Sequence, residues 1–162
     1  MEKAILLVNE ATKAFKTADH LIYVTFPLLN DQRLFATVAE KLKEALDKGM
    51  CAVLEFDYLY KRIQFVPAEF QTRLSLFQQY AQKKYGFSPI SFKCIQEVDE
   101  IVTRRRESPI EFIRKDRLVI ASGDYRLKTI NLEKIKELVQ NTKMFISKVN
   151  QIIQTGDRRL FE

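Results

Sequence analysis

The residues with the clearest chemical potential lie between positions 104 and 128. Eight cations (Arg104, Arg105, Arg106, Arg114, Lys115, Arg117, Arg126 and Lys128) stand there against four acids (Glu107, Glu111, Asp116 and Asp124), which leaves +4 of the chain's net +6. Arginine presents a planar fork to phosphate oxygens, and an aromatic ring beside it offers a stacking surface for an unpaired base. With Tyr125 at the tip of an expected hairpin, the candidate contacts are Arg104, Arg105, Arg106, Arg114, Lys115, Arg126, Lys128 and Tyr125. RNA or an acidic protein surface would answer such a patch. The same charges also suit an ordinary solvated face crossed by local ion pairs.

Catalytic groupings are sparse. His20 is the one histidine, so any imidazole acid or base depends on it, and its place at the end of an amphipathic helix suits a helix-terminus role. Carboxylates occur close together at Glu97, Asp99 and Glu100 and at Glu55 and Asp57. Glu55 and Asp57 would approach the core if their helix is covered on most sides, or pair with Lys61 or Arg62. No Cys or His spacing matches a zinc site, no glycine-rich loop could cradle phosphate, and neither metal nor cofactor is expected. Cys51 and Cys94 sit in apolar periodic segments and read as buried reduced thiols.

The elements that must position these groups are mostly helical. The chain has 162 residues, 46% of them apolar, with no tryptophan, four glycines and four prolines. That suits one helix-rich domain spanning 1–162 and argues against a sandwich or barrel with many tight turns. No run approaches the apolar length of a membrane span, and the N-terminus lacks a leader pattern, so the reading is cytoplasmic with no membrane partner.

Asp31 to Ile63 reads as the spine. Phe35, Leu42, Gly49, Phe56 and Ile63 recur every seven residues, with Val38, Ala45, Ala52 and Leu59 in a second seam and Ala39, Leu46, Val53 and Tyr60 beside it. As one helix it would span about 50 Å. Ala45, Gly49 and Ala52 thin the stripe and permit close approach. A competing reading ends the helix at Lys48-Gly49 and makes Met50 to Phe56 a buried strand, so residues 50–60 are either helix or strand.

Around the spine, Glu2 to Asp19 forms an amphipathic helix, and Leu21 to Leu29 a buried connector turned or kinked at Pro27. Asn30 or Asp31 can cap the spine. Pro67 opens a third helix that Gly86 ends, and Ser88-Pro89 or Ser91 opens a fourth. Ser108-Pro109-Ile110-Glu111 reads as a capping box opening a short helix that ends near Lys115.

From Arg117 to Ile130 the period changes to two about Gly123-Asp124, predicting one hairpin. That register sets Ser122/Tyr125, Ile120/Leu127 and Leu118/Thr129 on an apolar face, and Ala121/Arg126, Val119/Lys128 and Arg117/Ile130 on a cationic one. Asn131 caps a last helix that Gly156 stops. The expected architecture is an antiparallel helical bundle of about five main helices plus a short helix and one hairpin at about 117–130.

The alternation of long amphipathic helices, the alanine-rich stripe of the first and the LKEAL segment at Leu42 to Leu46 resemble HEPN-type helical bundles. The run RRRESPIEFIRKDRLVI at Arg104 to Ile120 is similar to small archaeal helical proteins, a likeness that lends no function. The HEPN ribonuclease signature is an arginine followed four to six residues later by histidine. No arginine precedes His20, so the resemblance does not imply nuclease activity here. The expected function is a non-catalytic binding or assembly module. A homodimeric structural subunit paired through apolar helix faces is a second reading. An unrecognised enzyme such as a nuclease is a third, and would need a deep pocket with Glu55, Asp57 or His20 converging on it.

Overall fold

The computed structural model describes residues 1–108, 110–123 and 126–159. Among these, helix α1 comprises Glu2–His20, a π-helical turn at Leu21–Thr25 and a last segment Phe26–Leu29. Helix α2 is Leu34–Leu59; α3 comprises Phe70–Leu76, a π-helical turn Phe77–Ala81 and Gln82–Tyr85; α4 is Pro89–Glu107. Strands β1 (Ile110–Arg114), β2 (Arg117–Ala121) and β3 (Leu127–Ile130) form one antiparallel sheet in that order, and α5 spans Leu132–Arg159. The described residues are thus mostly α, with five helices and a small sheet.

Helix α2 is the spine. It continues through Met50 to Leu59, so the strand reading of that segment is wrong, and its Phe35, Val38, Leu42, Leu46, Ala52, Val53 and Phe56 are all buried. The heptad stripe carries the helix because α1, α4 and α5 pack on it from different sides. Ion pairs Lys3 to Glu55 (2.5 Å) and Glu10 to Lys48 (2.9 Å) show α1 running antiparallel to it. Gly49 has a packing reason: a Cβ there would stand 2.9 Å from the Phe145 ring of α5, which meets Phe77 edge-on and Phe87 at a tilt.

The spine ends earlier than Ile63. Lys61 adopts φ 56°, and the Lys61 and Arg62 amides donate back to the Tyr58 and Asp57 carbonyls (both 2.9 Å), a Schellman closure built on lysine instead of glycine. Its start is also later, because Asn30 (φ 46°) closes α1 and the Asp31 carboxylate accepts from the Arg33 amide and guanidinium. Leu21 to Leu29 is not a buried connector. The Phe26 amide donates to the Leu21 carbonyl in the wider π turn, α1 continues past Pro27, and only Ile22 and Phe26 are buried while Leu28 stays 80% exposed.

The other helix boundaries fare differently. Ser88 and Asn131 cap α4 and α5, accepting from the Ile90 and Lys134 amides, and Gly86 (φ 69°) ends α3. Helix α3 starts at Phe70, since Glu69 remains extended and Pro67 lies before it. Gly156 does not stop α5; it lies against the Phe56 ring, where any Cβ would overlap.

The short helix from Ser108 to Lys115 is absent, and β1 occupies its place. The Ser108 hydroxyl accepts from the Ile110 amide in a local turn, Glu111 pairs with Arg105 instead of reaching back to a cap, and Lys115-Asp116 folds 110–114 onto 117–121. Five ladder pairs outweigh one capping box. The β2 to β3 register also differs by one residue from the expected one: Leu118 faces Ile130, Val119 Thr129, Ile120 Lys128 and Ala121 Leu127. Tyr125 and the turn residue Asp124 lie outside the described residues. No helix among the described residues is long and apolar enough to cross a membrane.

Candidate binding surface

Alternation along each strand gives the sheet two faces. Leu118, Ile120 and Ile130 are fully buried and join the main core, so Glu111, Ile113 and Lys128 share the inward face. The outward face carries Ile110, Phe112 and Arg114 from β1, Arg117, Val119 and Ala121 from β2, and Leu127 and Thr129 from β3. The one-residue shift decides this partition, because it exchanges Leu127 for Lys128. Lys128 therefore points toward the helices, and Leu127 is 59% exposed on the opposite side.

The expected basic patch divides accordingly. Arg104 pairs with Glu100 (3.0 Å), Lys128 approaches the same carboxylate (3.8 Å), and Arg105 bridges Glu40 (2.8 Å) and Glu111 (3.1 Å). Arg105 thus ties α4 to α2 and to β1, Lys128 ties β3 to α4, and the Arg104 pair stays within α4. Arg106, Arg114 and Lys115 are exposed and make no ion pair among the described residues. Arg126 lies in the loop after β2, its carbonyl accepting from the Ser122 amide and hydroxyl.

Two residues outside the expected set belong to the surface. Arg117 faces Arg114 directly across the turn, and Phe112, 42% exposed, shares their face. Like charges directly opposite on a sheet are destabilising, and no acid among the described residues is paired with either arginine. Seating the turn at Lys115-Asp116 would have revealed both residues from sequence, but the capping-box reading hid that turn. Around them Ile110 (57% exposed), Leu127 and the covered Val119 complete an apolar surface rimmed by cations.

The carboxylates and histidine do not converge. Asp57 is buried: its Oδ1 accepts from Tyr85 Oη (2.5 Å), Lys84 Nζ (2.7 Å) and Arg62 Nη1 (3.2 Å). Desolvation, with the Asp57 carboxylate beside it, raises the Tyr85 phenol above its ordinary range. Glu55 holds Lys3 at the start of α1, in an open groove with Tyr58 and Lys61. His20 lies in another groove with Lys13 and Lys16, at the far end of the Glu2–His20 segment and about 25 Å of helix from Lys3. Burial pushes the Cys51 and Cys94 thiols up to about 11, so both are protonated near neutrality.

No protein-family model matches the chain, and no curated protein matches it in sequence.

Proposed function

We propose that the protein is a non-catalytic binding module for single-stranded RNA, using the outward face of its sheet. The observation that carries this reading is the opposed Arg114 and Arg117 pair beside exposed Phe112, with no acid paired to either arginine among the described residues. An unneutralised pair costs stability, and an anionic ligand removes that cost on binding. Side chains two apart on one strand face are roughly 7 Å apart, so a base stacked on Phe112 leaves the adjoining phosphate within reach of Arg114 or Arg117. Lys115 supplies additional exposed charge at the turn, and Arg126 begins the segment leading into β3, whereas Arg106 lies in the groove beside Glu40 and Glu44 of α2. The aromatic favours RNA over an acidic protein, which would use the arginines and leave Phe112 without a partner.

Fluorescence anisotropy with a labelled oligouridylate tests the reading. Phe112→Ala should weaken binding about tenfold to a hundredfold, the scale of one lost base stack. Arg114→Ser with Arg117→Ser should weaken it and flatten its salt dependence. Equal affinity for an acidic peptide, with no effect of Phe112→Ala, would assign the surface to a protein partner.

A further inference from the structure

The β1 edge carries a second inference, independent of any RNA ligand. Because the Ser122 amide donates to the Arg126 carbonyl, the even-numbered residues of β2 direct their backbone bonds to β3. Arg117, Val119 and Ala121 therefore bond to Arg114, Phe112 and Ile110, and the amides and carbonyls of Glu111 and Ile113 point out from the open side of the sheet. Edges of this kind are commonly blunted by charge, proline or a bulge. Here the edge is flanked by apolar side chains: Ile110 (57% exposed), Phe112 (42%) and Ile113 (41%), while the carboxylate of Glu111 is held by Arg105.

We infer that the occupant of this edge is a second copy of the chain, paired antiparallel through β1 about a two-fold axis at Phe112. That register sets Glu111 of each copy opposite Ile113 of the other. All four open backbone groups of each strand then find partners, and no group of the Lys115 turn is needed. Phe112 meets its own copy in a non-hydrogen-bonded pair, where opposed side chains come closest.

The charges fit the same arrangement. Acids Glu107 and Glu111 lie toward the start of the segment, and Arg114 and Lys115 toward its end. Antiparallel pairing therefore sets the basic end of one copy beside the acidic end of the other, and Arg114 stands opposite Ile110 instead of another cation. A parallel or uniformly acidic strand would meet like charge at one end. The two-fold axis is perpendicular to the sheet, so the outward faces of both copies form one continuous six-stranded surface.

Sedimentation equilibrium of the full chain at micromolar concentration, without nucleic acid, reads this directly. The wild type should be a dimer. Of the backbone groups, Ile113→Pro removes one amide, directed to the open side, and should give a monomer with unchanged helical circular dichroism. If that variant melts early, Phe112→Glu, which opposes two carboxylates across the axis, answers the same question. Opposed residues of a non-hydrogen-bonded pair have Cα atoms about 4.5 Å apart, within disulfide range, so oxidised Phe112→Cys should form a covalent dimer while Leu127→Cys does not. A monomeric wild type, a dimer that survives both edge variants, or equal cross-linking at the two cysteine positions would overturn the inference.

Discussion

Arg114 and Arg117 stand directly opposite one another across the Lys115-Asp116 turn, on the sheet face turned away from the helices. Neither arginine is ion-paired among the described residues, so the pair should weaken the free protein. Arg117→Thr places a strand-favouring neutral residue there and should raise stability by roughly 0.2–1 kcal/mol, measured by urea denaturation, while reducing RNA affinity. A loss of stability would show that the pair is neutralised by some other group.

The small side of Gly49 is filled by Phe145 and that of Gly156 by Phe56. Alanine at an exposed helical glycine gains about 1 kcal/mol, but overpacking a core costs about 1–3 kcal/mol. Gly49→Ala should therefore be mildly destabilising. Gly156→Ala should cost more, because its Cβ would overlap a ring that is itself buried. Thermal melts that place Gly156→Ala above the wild type would contradict this packing of α5 on α2.

How far the sequence revealed this architecture differs by element. The heptad of α2, the caps at Ser88 and Asn131, and the stripe of α5 were readable because each is a local pattern that tertiary packing reinforces. Local signals misled where longer-range pairing won: Ser108-Pro109-Ile110-Glu111 has the form of a helix start, yet 110–114 gains a whole ladder with 117–121. The site suffered most, since a one-residue register shift moved Lys128 inward and Leu127 outward. Phe112 and the pairing of Arg117 with Arg114 became visible only with the correct turn. The whole basic cluster was legible as charge, but which charges are neutralised depends on Glu40 and Glu100, distant in sequence from Arg105 and Lys128.

Asp57 binds three donors from the α2 end and α3, so it anchors the closing loop of the spine. Asp57→Ala should cost about 2–3 kcal/mol, the scale of hydrogen bonds to a charged group, with Lys84 and Arg62 turning to solvent. The raised Tyr85 phenol adds a pH signature. Its contribution is complete below the unfolded tyrosine's range, near pH 10, and is lost as pH rises further, because the unfolded chain ionises first. Tyr85→Phe should remove part of that alkaline slope in denaturation measured across pH.

The thiols follow the same sign. With folded values of about 11 against 9.0 when unperturbed, Cys51 and Cys94 favour folding in full below about pH 9 and lose that contribution as pH rises toward 11. Iodoacetamide at pH 8 should alkylate both slowly in the native protein and readily in urea, as read by mass spectrometry. Fast native alkylation at Cys94 would contradict its burial beneath α5.

The salt dependence of binding to a single-stranded RNA tests the central claim most directly. For single strands, log affinity falls with log salt by about 0.7 per phosphate neutralised, so Arg114→Ser with Arg117→Ser should reduce the slope by about 1.4. Lys13→Ser, on α1, should leave it unchanged. An identical slope in the wild type and the double variant, or no measurable binding at low salt, would contradict the assignment of the outward sheet face as the RNA surface.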